Sequence, residues 1–174
     1  MPTEAQLERV KQMLDLAENN IRQAKALLFS QDIEIKASQL QIENEGKVVE
    51  GIFDGERMVG PNNKRYDIPA NYASKSKLVA GDLLKLTILD DGSFVYKQIG
   101  PIARKKMIGL LEELSPKNYI VQCGDQQFRV LPASITYFKA DDGDRVSILV
   151  PKEGVSEWAA VENLIEKTRG KNGN

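Results

Sequence analysis

Between residues 47 and 166 the chain runs through one pattern of landmarks twice. Gly51 opens the first copy and Gly109 the second. Tyr66-Asp-Ile-Pro69-Ala70 answers Phe128-Arg-Val-Leu-Pro132-Ala133, Gly81-Asp82 answers Gly143-Asp144, and Leu84-Lys-Leu-Thr-Ile answers Val146-Ser-Ile-Leu-Val. The interval from the proline to the Gly-Asp pair differs by a single residue between the copies. Within each copy short apolar runs end at Gly, Pro, Asn or Asp, the signature of an all-β barrel or sandwich. The expected strands are 47–53, 65–68, 83–89 and 93–98 in the first copy. Those of the second are 106–111, 119–123, 127–131 and 145–150, with 158–161 closing. Asp90-Asp91-Gly92 and Lys152-Glu153-Gly154 supply turn signals. A copy of roughly 55 residues is at the lower edge of independent stability. The copies, 47–103 and 104–166, are therefore expected to share one barrel or to pack tightly as a pair.

Ahead of this region the period changes. Leu7, Val10, Leu14, Ala17, Ile21, Ala24 and Leu28 step by alternating threes and fours, a heptad pattern over three repeats. Thr3 followed by Gln6 makes a capping box that starts the helix near Glu4. Met13 and Leu27 widen the stripe on one side, and Ala17 and Ala24 allow a partner helix to come close. The stripe either packs on the protein's own body or meets another helix. An isolated helix of this length is marginal in water and needs one of the two. Residues 1–30 are read as a coiled-coil helix that self-associates, and 31–46, which lack clear periodicity, as a linker. The tail 167–174 is expected to be disordered.

Composition narrows the chemistry. The 24 basic and 25 acidic side chains nearly cancel, and 41% hydrophobic residues suffice for a packed core. No apolar run approaches the roughly 20 residues of a membrane-spanning helix. The first residues carry no basic segment leading into an apolar one, so a cytoplasmic protein without a membrane partner is expected. With no histidine and one cysteine, His-dependent nucleophile systems and His-bearing zinc sites are excluded, as is an internal disulfide. Cys123 reads as a small strand residue, since no basic neighbour is in view to hold a thiolate. Asp90-Asp91 and Asp141-Asp142-Gly143-Asp144 fall at turns, where Asp serves the backbone. Trp158, Phe94, Phe128 and Tyr96 read as barrel core or rim. No cofactor, metal or catalytic residue is expected, and the protein is read as a non-enzyme.

At Ile68-Pro69, Leu78-Val-Ala-Gly81-Asp82-Leu-Leu-Lys-Leu86 and Asp91-Gly-Ser-Phe94 the first copy resembles the AbrB-type swapped-hairpin and related cradle-loop barrels. The second keeps Pro132, Gly143 and Asp144 with a crossover one residue shorter. The physical logic is readable beside the resemblance: Pro69 ends a strand where no ladder N–H is wanted, Gly81 gives a permissive turn, and Asp82 accepts backbone N–H groups. The resemblance implies a tandem version of a dimeric DNA-binding regulator. The heptad helix, the duplicated body and the lack of an arginine-rich strand depart from that family. Residues 47–165 are also similar to small proteins of candidate-phyla bacteria, which implies no mechanism.

Two basic groups are the candidate nucleic-acid contacts. They are Lys64, Arg65, Lys75 and Lys77 around the first crossover, and Arg104, Lys105 and Lys106 between the copies, with Tyr66 and Tyr72 near enough in sequence to stack on bases. A net charge of +2 over residues 47–174 implies weak binding. The expected molecule is mainly β with an N-terminal α-helix, a homo-oligomer through that helix. Its duplicated small-barrel body is presented to a protein or ribonucleoprotein partner, with the transcription or translation apparatus implied by the resemblance. A DNA-binding regulator of AbrB type is the alternative.

Overall fold

A computed structural model describes residues 1–168. Helix α1 spans Glu4–Ser38, capped as the sequence predicts: Gln6 N–H donates to the Thr3 hydroxyl at 3.2 Å and Thr3 N–H donates to Gln6 Oε1 at 2.8 Å. The first correction falls on the linker, because 31–38 continue the same helix. Ile33 and Ala37 are buried there, and that burial gives the second half of α1 a reason to stay helical.

Two antiparallel sheets follow. Strands β1 (Ile42–Glu43), β2 (Val48–Phe53), β3 (Arg57–Val59), β4 (Arg65–Asp67), β5 (Leu83–Ile88) and β6 (Phe94–Gly100) form the first, in the order β4-β3-β2-β5-β6, with β1 pairing to β2. Strands β7 (Arg104–Ser115), β8 (Asn118–Cys123), β9 (Gln126–Val130), β10 (Arg145–Pro151) and β11 (Ala160–Glu166) form the second, in the order β9-β8-β7-β10-β11. Helix α2 (Ala70–Lys75) lies between β4 and β5, and α3 (Pro132–Phe138) between β9 and β10. The two orders match strand for strand, and each is a three-strand meander whose fourth strand returns beside the first, a Greek key. The landmarks repeated in the sequence thus occupy equivalent places in two units of one topology.

The barrel expectation is corrected: neither sheet closes on itself. The ends of the first approach through side chains, with the Tyr96 hydroxyl donating to Asp67 O at 2.6 Å and Tyr66 edge-on to Phe94. The second gains one parallel bridge, Arg129 to Trp158. The closing strand was expected at 158–161 and instead runs from Ala160 to Glu166, while Arg57–Val59 is a strand too short to stand out between two turns. Of the tail, Lys167 and Thr168 are hydrogen-bonded to Asp144, and the remainder lies outside the described residues.

Each unit has its own core, Val49, Phe53, Met58, Leu84 and Leu86 in the first and Leu111, Val121, Val146, Ile148 and Val161 in the second. They meet where α2 packs on α3, with the buried Ser134 hydroxyl donating to Ser74 at 2.9 Å. Trp158 of the second unit lies against Gly55 of the first, a glycine at φ +116°. Among the described residues no helix is long and apolar enough to cross a membrane.

Candidate interaction surfaces

Helix α1 has two faces with different fates. Arg22, Ala26, Phe29, Ile33 and Ala37 recur on one side and meet the body. Ile33 and Ala37 pack with Ile52 and Val59, with Phe29, Leu40 and Leu83 at the margin. Glu34 pairs with Arg65 at 2.8 Å, and Arg22 donates to Asp125 O at 3.1 Å. At 3.6 residues per turn the heptad positions fall on the opposite side. All seven are exposed, and the five large ones, Leu7, Val10, Leu14, Ile21 and Leu28, are each at least 51% exposed. Ile35 extends the stripe by a further repeat at 53%. Of the two destinations open to the stripe, its own body does not cover it.

The outer sheet faces of the two units also differ. In the first, Ile52 on β2 stands between Val59 and Leu83 and is sealed by α1. The equivalent residue on β7 is Leu110, between Gln122 and Arg145, and among the described residues no helix covers it: Leu110 is 51% and Ile108 47% exposed. Sequence reasoning did not single out this pair. The available signal was that Lys106–Leu111 has apolar residues on both alternations, as a strand does when both faces meet something.

The seven basic candidates are divided: Arg104 donates to Lys77 O at 3.1 Å and both Lys77 and Lys106 act on the Glu162 carboxyl, whereas Arg65 turns towards α1. Arg65 is held by Asp54 and Glu34, Arg104 by the fully buried Asp82, and Lys106 by Glu162 at 2.8 Å. Lys64 lies over the Tyr66 ring and Lys77, at φ +52°, over Phe138. Lys75 and Lys105 are exposed and have no ion pair among the described residues. The hydrogen bond from Lys106 is the main cause that holds the Glu162 carboxyl below its ordinary value.

The Gly-Asp turns carry matching polar networks. Asp82 accepts Val79 N–H at 2.8 Å and Ile102 N–H at 2.9 Å; Asp144 accepts Asp141 N–H at 2.7 Å and Thr168 N–H at 2.6 Å. Arg104 on Asp82 corresponds to Lys167 on Asp144. Both carboxylates are fully buried, and both tie the end of the last strand of a unit to the turn before its fourth. Burial works to raise the Asp144 carboxyl, but the bonds from Thr168, Asp141 and Lys167 outweigh it and hold it below the usual range. Cys123 is buried on β8, and that burial pushes its thiol up.

A cleft of about 190 Å³ opens between α1 and the two units, beside Phe29, Asp54, Glu56, Arg129 and Trp158. Asp54 is already paired with Arg65, and Arg129 lies over the indole 4.4 Å from its centroid, so the cleft is a joint between three packed parts. No family model, curated protein or solved structure matches the chain, so each surface is read from its own geometry.

Proposed function

We propose that the protein is a non-enzymatic adaptor, which self-associates through α1 and presents its paired β units to a macromolecular partner. The observation that carries this reading is the division of α1 into a docked face and an opposite, uncovered heptad seam. A second copy suits that seam because the a and d positions are self-complementary and large residues alternate with Ala17 and Ala24. Self-association would multiply weak contacts made by the body without requiring new chemistry.

The partner contact is assigned to the outer face of the second unit. The first unit shows that this face accepts an amphipathic helix, and Ile108 and Leu110 leave the equivalent face of the second open. A helix of a protein or ribonucleoprotein assembly in the transcription or translation apparatus is the proposed occupant, the apparatus being drawn from the AbrB-type resemblance. The connectivity, meander, helix, then two returning strands, also suits a partly open Greek key of the oligonucleotide/oligosaccharide-binding kind. A topology of that kind supports a binding module, while its ligand is decided by the surface. Here three of the seven basic candidates are already committed to carboxylates, which favours a protein partner over DNA.

Light scattering on the full chain tests the reading. A mass of two or more chains that falls to one in a Leu14→Asp, Ile21→Asp double variant, with circular dichroism of the sheets retained, is expected. A monomeric wild type overturns it.

A further inference from the structure

We infer that the helix received by the outer face of the second unit is bipolar, with carboxylates at one end, cations at the other and apolar residues between. This rests on the docking reading above and gives the partner a chemistry. It follows from the order of residues along β7. The strand runs Arg104-Lys105-Lys106, then Met107 to Leu111 without a charge, then Glu112-Glu113. Alternation puts Lys106, Ile108, Leu110 and Glu112 on one face, where Ile108 and Leu110 are the exposed apolar pair. That face is apolar at its centre, basic at one end and acidic at the other.

Contacts remote in sequence strengthen both poles. At the basic end Arg104 is spent on Asp82, but its bond to Lys77 O brings in a lysine of the first unit. Lys77 and Lys106 then act on one carboxylate, Glu162, while Lys105 is exposed and has no ion pair among the described residues. At the acidic end Glu113 N–H donates to the Asp142 carboxylate at 2.8 Å, which sets the charge of that turn beside Glu112 and Glu113. Between the poles Arg145, next to Leu110, is balanced by Glu166 at 3.5 Å. From Lys106 to Glu112 the strand covers about 20 Å, which a helix laid along it spans in about 13 residues. The docked part of α1 uses the same combination on the first unit, where Ile33 and Ala37 pack with Ile52 while Glu34 reaches Arg65. A nucleic acid would be attracted to the basic pole, repelled by the acidic one, and would leave Ile108 and Leu110 uncovered.

Fluorescence anisotropy of labelled helical peptides against the full chain at low salt tests this. Two synthetic peptides share one leucine stripe over about 18 residues. One carries Glu at one end and Lys at the other; the second carries Lys at both ends. The first should bind at least about tenfold more tightly, and Leu110→Asp should abolish its binding. Lys105→Glu with Lys106→Glu should pass the preference to the second peptide, and Lys105→Glu alone, at an exposed residue, should narrow it. A preference that neither charge reversal moves, with the fold intact by circular dichroism, overturns the inference. If wild type binds both peptides equally and Leu110→Asp abolishes both, the docking reading survives and the bipolar partner does not. If neither peptide binds, or Leu110→Asp leaves binding unchanged, both fall.

Discussion

Gly55 lies so close against the indole of Trp158 that a Cβ at that position would overlap the ring. The contact joins a turn of the first unit to the segment leading into the last strand of the second, next to the α2–α3 contact. Two units whose sheets share no strand pairing are therefore one body in packing.

That contact predicts the response to Gly55→Ala. The new methyl meets the ring, and the residue must also hold φ +116°, so a loss of about 2–4 kcal/mol is expected. Urea denaturation followed by Trp158 fluorescence and by circular dichroism should give one coincident transition in the wild type. Separate transitions for the two probes would show that the units fold independently.

The equivalent outer-face residues should differ sharply in cost. Ile52→Ala empties a site sealed by α1 and is expected to cost about 2–4 kcal/mol. Leu110→Ala, at an uncovered position, should change stability by no more than about 0.5 kcal/mol. Equal losses in chemical denaturation would mean that the second face is covered in solution.

Asp144 predicts a pH dependence with a definite sign. Its folded carboxyl titrates below the unfolded value near 4, so its contribution is complete above that value and is lost as pH falls through the lower, folded one. Asp144→Asn should cost about 1–3 kcal/mol at pH 7, since buried N–H groups lose a charged acceptor. The difference between wild type and variant in urea midpoint should shrink as the pH is taken below about 4. A gap that widens on acidification contradicts the network described.

Nucleic-acid binding has its own readout. If the body contacts phosphates, affinity for duplex DNA or structured RNA should fall steeply with salt, and Lys75→Glu with Lys77→Glu should weaken binding to all sequences alike. No binding at low salt and tens of micromolar would leave these lysines as solvated surface.

How far the sequence was legible varied with the range of the interaction concerned. The Thr3–Gln6 cap and the order of landmarks in both units are local, and each was readable from residue type and spacing. The buried roles of Ile33 and Ala37 were not, because their partners Ile52 and Val59 lie on strands further along the chain, and the longer heptad stripe on another face of the same helix masked the step from Phe29 to Ile33 and Ala37. Arg65 and Arg104 looked like surface cations for the same reason: Glu34 and Asp82 reach them only through the fold. Closure of the barrel was also out of reach, since alternation marks a strand but not whether the first and last strands of a sheet meet.

Helix α1 runs its 35 residues, about 50 Å, with no break between the exposed seam and the segment clamped to the body. A twist or slip imposed on the seam by a neighbour is therefore delivered to the sheets as rotation of a stiff shaft. A jointed tether would have absorbed it. In the proposed oligomer the spacing and facing of neighbouring bodies would be governed by the phase of the helix where it enters the clamp at Arg22, and a single inserted residue between Leu14 and Ile21, ahead of that clamp, would turn the body by about 100° relative to the part of the seam before it.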